Sequence, residues 1–180
     1  MIRKIIRFLN SLIITNFKFF LIKIFNFNRF KFSPINYISP SNFIDIQDKG
    51  KIIFGKKINI PFKCMFGVRE NGVLKIGDGT FINNNCQIIS HELIEIGKDV
   101  CIGPNTVIVD HDHLFGENGV DKKKFKSKEI KIGNNVWIGA NCVILKGTNI
   151  GDNCVIGAGS VINGSFPNNS IVIQKRRDDK

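Results

Sequence analysis

Isoleucine recurs at every sixth position along the second half of the chain, and this spacing constrains the fold more than any other feature of the sequence. All six positions on this stride in residues 132–162 are isoleucine. The same stride runs from Ile76 to Ile94 and restarts two residues late at Ile96. No helical period appears after residue 50, and a repeat of short strand and corner is typical of a β-solenoid, in which each coil buries side chains against its neighbours.

The residues that follow each repeat isoleucine also suit stacked coils. Seven of these isoleucines precede a glycine, and we expect that glycine to supply corner angles that a β-carbon would forbid. Four residues after the isoleucine comes a compact side chain that can point inward. These compact residues are Thr80, Cys86, Val100, Thr106, Val136, Cys142, Thr148, Cys154 and Ser160. Cys64 fits the same slot, so four of the five cysteines are predicted to be small core residues. No CxxC spacing occurs, and a reducing compartment is expected.

Two stretches of the sequence resemble a known family. The run IGNNVWIGANCVILKGTNIGDNCVIGAGSVI (132–162) resembles the hexapeptide-repeat acyltransferases. The stretch IGDGTFINNNCQI…IGKDVCIGPNTVIVDHDH (76–113) is similar to their galactoside and maltose acetyltransferase branch, and to acetyltransferases of capsule and lipopolysaccharide synthesis. The resemblance covers residues 50–167. It implies an all-β fold, a left-handed parallel β-helix, and an acetyl-CoA-dependent homotrimer with active sites between subunits; we expect no metal.

The stride breaks severely once, and we expect the insertion at residues 110–130 to carry function, because excursions from a solenoid usually do. It contains His111 and His113, which share outward parity with Val109. Imidazole suits removal of a proton from a sugar hydroxyl near neutral pH. In the family, the catalytic histidine follows a Pro-Asn motif by eight positions, which implies His113 as general base. His111 ranks second, as an orienting or substrate-contacting group.

Further site residues follow from the same resemblance. It implies Asn85 as a substrate-binding residue, and a count of coils puts Asn85 and His113 on different faces of one chain, so a second subunit must complete the site. Ala140 and Ala158 are 18 residues apart and should stack in successive coils, where the family makes backbone contacts to the pantetheine arm of acetyl-CoA. For Trp137, packing at a solenoid corner and contact with the ligand both stay open.

The C-terminal segment, residues 168–180, is short and basic. Family members usually have a Thr-Lys pair that binds the nucleotide end of the cofactor after the last repeat, and Asn163 and Gly164 stand at that position here. Lys175 and Arg176 are candidates to meet the cofactor's phosphates instead. The alternative is that this basic tail is solvated and contacts no ligand.

Most of the net charge lies at the N-terminus. The chain has 26 Lys+Arg and 15 Asp+Glu, a net charge of +11, and no acidic residue precedes Asp45. Residues 1–35 predict a basic, aromatic helical segment, too often interrupted by charge to span a bilayer. Residues 1–32 suit either an anionic membrane surface or packing on the fold or a neighbouring subunit. No nucleic-acid motif accompanies the charge, so no nucleic-acid partner is expected.

These observations predict an O-acetyltransferase acting on a sugar or glycan hydroxyl in surface polysaccharide synthesis, by direct transfer in a ternary complex. A cytoplasmic location is expected, at the inner membrane face if the N-terminus binds lipid. One alternative is a non-catalytic β-helix scaffold. A weaker alternative is a zinc lyase like the β-helical carbonic anhydrases, since the chain has three histidines, His91, His111 and His113, although their spacing does not match that ligand pattern.

Overall fold

The computed structural model describes residues 2–117 and 119–174, and the side chains of residues 2–12 lie outside that description. A single helix, α1 (Ile2–Phe25), precedes a series of short strands. The strands form three parallel sheets that the chain visits in rotation, so each circuit adds one rung to a three-sided prism. This arrangement confirms the predicted all-β fold, a left-handed parallel β-helix.

We number the sheets in the order in which the chain enters them. Sheet 1 contains Phe30–Lys31, Lys51–Phe54, Val73–Ile76, Leu93–Ile96, Ile130–Ile132, Asn149–Ile150 and Ser165–Phe166. Sheet 2 contains Tyr37–Ile38, Asn59–Ile60, Phe81–Ile82, Cys101–Ile102, Trp137–Ile138, Val155–Ile156 and Ile171–Val172. Sheet 3 contains Phe43–Ile46, Met65–Val68, Gln87–Ser90, Val107–Val109, Val143–Ile144 and Val161–Ile162.

The repeat isoleucines form the core of the prism. Ile102 pairs with Ile138 and Ile138 with Ile156 in sheet 2, and all three side chains are fully buried. The compact residues four positions further on are also buried, as predicted, and so is Cys64. The fifth cysteine, Cys101, is exposed. Apolar burial of this kind is the main driving force for folding, and the isoleucines of successive coils pack on one another in register.

Strand pairing extends beyond the expected range of 50–167. It begins at Phe30, which pairs with Ile52, and it ends in the strand Ile171–Val172. The first coils are longer than the later ones: Phe30 to Ile52 is 22 residues, whereas Ile132 to Ile150 is 18. Extra residues in these coils break the six-residue stride, so the sequence period alone does not detect them.

The glycines that follow the repeat isoleucines have a different role from the predicted one. Positive φ falls two residues later in each of the seven coil corners, at Gly79, Asp99, Asn105, Asn135, Asn141, Asn153 and Gly159. The glycines themselves are needed for close stacking. A β-carbon on Gly103 would lie 2.5 Å from the Ala140 nitrogen, and one on Gly139 would lie 2.5 Å from the Ala158 nitrogen. For six of the seven glycines the role is therefore steric, since a β-carbon would lie within 2.5 Å of the adjacent coil, whereas on Gly157 it would lie 3.4 Å from the Val172 carbonyl oxygen.

Helix α1 covers the N-terminal end of the prism. Phe19 is buried, and its ring packs edge-on against Phe30 at 5.3 Å between centroids. Thr15 donates a hydrogen bond from Oγ1 to the Ile38 carbonyl, and Lys18 donates from Nζ to the Asn42 carbonyl at 2.6 Å. One face of the helix thus closes the hydrophobic core. Among the described residues, no helix combines the length and the apolar character needed to cross a membrane.

The insertion is a β-hairpin. Its antiparallel strands are His111–Gly116 and Gly119–Ser127, and it leaves the prism at the edge between sheets 3 and 1. The Lys128 amide donates to the Asp110 carbonyl at 2.8 Å and closes the base of the hairpin. An ion pair between Lys146 and Asp112 ties the hairpin to a following coil.

Candidate active site

An apolar groove of about 490 Å³ runs across sheet 2 to its edge with sheet 3. The groove crosses several successive coils. Its lining residues are Phe81, Asn83, Cys101, Ile102, Gly103, Pro104, Trp137, Gly139, Ala140, Val155, Ile156, Gly157, Ala158 and Ile173. Elongated apolar grooves with few polar groups are typical sites for extended ligands.

Three of the predicted cofactor-binding residues, Trp137, Ala140 and Ala158, lie together in this groove. Ala140 and Ala158 stand on adjacent coils, and the Gly159 amide donates to the Ala140 carbonyl at 2.8 Å. Their small side chains leave the groove open along the edge of the coils. Trp137 is largely exposed and pairs with Cys101 and Val155 across the sheet, so its indole forms part of the wall rather than of the core.

Asn85 lies at the same edge of the prism but does not line the groove. It has a φ of 61°, and its side-chain amide donates to Asn105 Oδ1 at 2.9 Å, while Asn105 donates to Asn141 Oδ1 at 3.1 Å. These asparagines form a ladder along the corner, where a short amide side chain tolerates left-handed backbone. Asn83 lines the groove instead.

His113 lies on the hairpin and is exposed. Its ring packs against Phe125 at 4.5 Å between centroids, and its Nδ1 is 3.3 Å from the Asp121 carbonyl oxygen. A carbonyl oxygen can only accept, so Nδ1 is the donor in this hydrogen bond, and the tautomer with its proton on Nδ1 has its lone pair on Nε2. A hollow of about 300 Å³ beside the ring is lined by Asp112, Leu114, Phe115, Lys126 and Lys146.

His111 is held by a buried carboxylate. Its Nδ1 lies 3.3 Å from Asp110 Oδ1, and Asp110 is fully buried. Asp110 also accepts hydrogen bonds from the Ser90 hydroxyl at 2.7 Å and from the amides of His91 at 2.8 Å and Glu92 at 2.9 Å. Burial works to raise the pKa of Asp110, but the hydrogen bonds from His111, His91, Ser90 and Glu92 together lower it below its ordinary value.

His91 packs on His111 with ring centroids 3.8 Å apart and the ring planes tilted by 32°, and the Phe125 ring lies 4.4 Å from His91 between centroids. Its buried Nδ1 has no hydrogen-bond partner among the described residues, and the nearest carboxylate oxygen, on Glu70, is 3.9 Å away. Burial, reinforced by His111, Arg69 and His113 against the attraction of Asp110, lowers the pKa of His91 to about 4. The imidazole of His91 is therefore neutral in the folded protein at neutral pH.

This neutral state predicts a loss of stability in mild acid. Below pH 6.5 the unfolded chain protonates His91, whereas the folded chain does so only near pH 4. The unfolded state thus binds more protons across that window, and the free energy of unfolding should fall by about 3 kcal/mol as the pH drops from 6.5 to 4. Urea unfolding at a series of pH values measures this fall.

A His91→Asn variant should lose most of this dependence between pH 6.5 and 4. Asp110, whose pKa is lowered, adds a separate loss only below its ordinary value of 3.8, and that loss should persist in the variant. A variant with the wild-type fall between pH 6.5 and 4 would contradict the assignment to His91.

The remaining predicted cofactor contacts lie elsewhere. Asn163 and Gly164 form the turn between sheets 3 and 1, where the Asn149 amide donates to the Gly164 carbonyl at 2.9 Å, and neither residue lines the groove. Lys175 and Arg176 lie outside the described residues. Within residues 2–117 and 119–174, no three His, Cys, Asp or Glu side chains are grouped as a metal site.

The sequence interpretation missed Asp110 and Asn83. Asp110 was detectable, because it shares inward parity with Ile108 at the end of a strand, and an acid at an inward position needs partners. No such signal separated Asn83 from Asn85, since both occur in one run of three asparagines.

Comparison with known proteins identifies the family. The bacterial transferase hexapeptide family (six repeats) matches residues 129–164. WbbJ of Escherichia coli (strain K12), whose name describes an O-acetyl transferase of lipopolysaccharide biosynthesis, is 31% identical over 136 residues, which are 71% of this chain and 69% of WbbJ. The galactoside O-acetyltransferase of Lactococcus lactis subsp. lactis (strain IL1403) is 29% identical over 78% of this chain and 68% of that protein.

A solved structure gives the same result. The hexapeptide-repeat-containing acetyltransferase VCA0836 of Vibrio cholerae O1 biovar eltor, complexed with acetyl coenzyme A, is 33% identical with a TM-score of 0.56. The match covers 65% of this chain and 63% of the solved chain, a little under two thirds of its length. The stacked coils have the fold of these relatives, and the sequence matches show that this chain belongs to the hexapeptide-repeat acetyltransferases.

Proposed function

We propose that this protein transfers an acetyl group from acetyl-CoA to a hydroxyl of a sugar or glycan used in surface polysaccharide synthesis. One observation carries the proposal: an apolar groove floored by Ala140 and Ala158 lies along the coils, and an exposed imidazole, His113, stands at the next edge of the prism with Nε2 free. The V. cholerae relative binds acetyl coenzyme A, and the L. lactis and E. coli relatives are named as O-acetyltransferases.

The groove is the donor site. Its lining is apolar except for Asn83 and backbone groups, which suits the thin, flexible pantetheine arm of acetyl-CoA. Ala140 and Ala158 let the arm approach the coil edges, and Trp137 and Ile173 cover its flanks. At the nucleotide end, Lys175 and Arg176 stay the predicted contacts for the phosphates.

His113 is the general base. The Asp121 carbonyl fixes the proton on Nδ1, so Nε2 accepts the proton of the acceptor hydroxyl. The hydroxyl oxygen then forms a bond to the acetyl carbon while the carbon–sulfur bond breaks. The proton on Nε2 passes to the departing thiolate, which leaves as the thiol of coenzyme A, so no covalent enzyme intermediate is needed. His111, oriented by Asp110, borders this region as a second, positioning imidazole.

The acetyl group and the base meet only between subunits. The groove ends at the edge between sheets 2 and 3, whereas the hairpin leaves the edge between sheets 3 and 1, so the width of sheet 3 separates them in one chain. We infer a homotrimer in which the groove of one copy faces the hairpin of the next. Asn83, on the groove wall, and Asn85, beside it in the asparagine ladder, are then the acceptor-side contacts.

The compartment is inferred from the thiols. All five cysteines are unpaired, and four of them are buried in the core, as expected for a chain that folds in a reducing cytoplasm.

An acetyl-transfer assay tests the proposal. The full chain is incubated with acetyl-CoA and a panel of mono- and oligosaccharides, and release of free coenzyme A thiol is followed together with the mass of each sugar. We expect acceptor-dependent thiol release and one added acetyl group on a defined hydroxyl. No transfer to any glycan, with acetyl-CoA still bound, would favour the non-catalytic scaffold.

A further inference from the structure

Helix α1 has a second apolar face that nothing in the described structure covers. Its large side chains point away from the prism, opposite to Thr15 and Phe19, which pack on it. Phe17 is 63% exposed and Phe25 is 80% exposed. The other exposed members of this face are Ile13, Ile14, Phe20, Leu21 and Ile24. A contiguous exposed surface of seven large apolar side chains is uncommon on a soluble protein and marks an interaction site.

The sequence around this face is basic throughout. The first 44 residues contain Arg and Lys at seven positions and no acidic residue. Lys18 is turned toward the prism, where it donates to the Pro40 and Asn42 carbonyls, so it anchors the helix and adds no charge to the exposed face. Lys23 and Lys31 are exposed. The described part of this segment therefore combines exposed apolar side chains with exposed lysines.

We propose that this face of α1 binds an anionic lipid surface, lying flat in the headgroup region while the opposite face stays docked on the β-helix. The apolar side chains enter the boundary between headgroups and acyl chains, and the basic side chains contact the lipid phosphates. A second copy of the chain is a poorer occupant. Two such helices face to face would bring like charges together, with no acid in the segment to neutralise them.

The two roles expected for the N-terminal segment are thus compatible. Phe19 and Thr15 fix the helix on the first coil, and the exposed face is held in one orientation by that docking. Because the helix is already folded and positioned, binding to lipid needs no further ordering of this segment. A sugar acceptor carried on a membrane lipid would then reach an enzyme held at the same surface.

Flotation with lipid vesicles tests the inference. The full chain is mixed with vesicles of phosphatidylcholine alone or of phosphatidylcholine with phosphatidylglycerol, and the bound fraction is measured at low and high salt. We expect binding to the anionic vesicles, weakened by salt, and little binding to the neutral ones. The triple variant Phe17→Ser, Phe20→Ser, Ile24→Ser should bind anionic vesicles about 100-fold more weakly, because three large side chains no longer enter the bilayer.

A matched control carries the same type of change elsewhere. Val161 and Ile171 are exposed apolar residues on the last coils, at the opposite end of their sheets from the first coils that α1 covers, and a Val161→Ser, Ile171→Ser variant should keep wild-type vesicle binding. Thermal unfolding checks that both variants fold. Equal binding to neutral vesicles would overturn the anionic part of the proposal. Absence of binding to either type of vesicle would overturn the proposal. A molar mass of the triple variant lower than that of wild type would then indicate that a second copy of the chain covers this face.

Discussion

Replacing His113 by alanine should reduce kcat for acetyl transfer about 10³-fold, within the range expected when a general base is removed. The ring is exposed and lies against Phe125 and the Asp121 carbonyl, so the free energy of unfolding should change by less than about 1 kcal/mol. The affinity for acetyl-CoA should also stay within about twofold of wild type, because His113 does not line the groove. Steady-state kinetics, calorimetric titration with acetyl-CoA and urea unfolding measure the three quantities.

His111→Ala is the comparison for this variant. His111 lies two residues away on the same hairpin strand, but its ring is stacked on His91 and bonded to Asp110, so its loss should lower stability more and kcat less. A larger fall in kcat for His111→Ala than for His113→Ala, with both variants folded, would transfer the role of base to His111. Light scattering on both variants checks that the molar mass in solution is that of wild type.

Much of the fold was predictable because each coil of a β-helix pairs with the next coil along the chain, so the repeat in the sequence has the same length as the coil. Each repeat isoleucine contacts the isoleucine of the next coil, so the spacing of Ile132 and Ile150 along the chain is also their register in the sheet. The prediction weakened where coil length varied. The 22-residue coils before Leu74 keep the same pairing but lose the stride, and the corner glycines revealed a turn without revealing that the reason was stacking.

The candidate site was less predictable, because its residues are far apart in the sequence and come together only in the folded chain. The coil count put Ala140 above Ala158, and both line the groove with Trp137. It also put Asn85 and His113 on different faces of the prism. The count carried no information on the stacking of His91 on His111 beneath Phe125, since that contact joins a coil to both strands of a hairpin. The role of His113 as general base and the positioning role of His111 stay predictions.

Replacing Asp110 by asparagine should lower the free energy of unfolding by about 3 kcal/mol. The carboxylate accepts on Oδ1 from the His91 amide and His111, and on Oδ2 from the Glu92 amide and the Ser90 hydroxyl. An asparagine side chain has only one oxygen, so its NH₂ group must face one of the two backbone amides. Either orientation leaves a buried N–H without an acceptor, which costs about 1–3 kcal/mol before the lost charge is counted.

Asp112→Asn is the matched control, two residues along the same strand. Asp112 is half exposed and pairs with Lys146, and such pairs contribute at most about 1 kcal/mol, so this variant should unfold near the wild-type urea midpoint. Equal midpoints for the two variants would mean that Asp110 does not hold the base of the hairpin.

At a temperature where Asp110→Asn is still folded, its kcat should fall about tenfold, because the hairpin that carries His113 leaves the prism at this residue. His113→Ala should instead lose kcat with its stability unchanged, so the two variants separate the positioning of the imidazole from its chemistry.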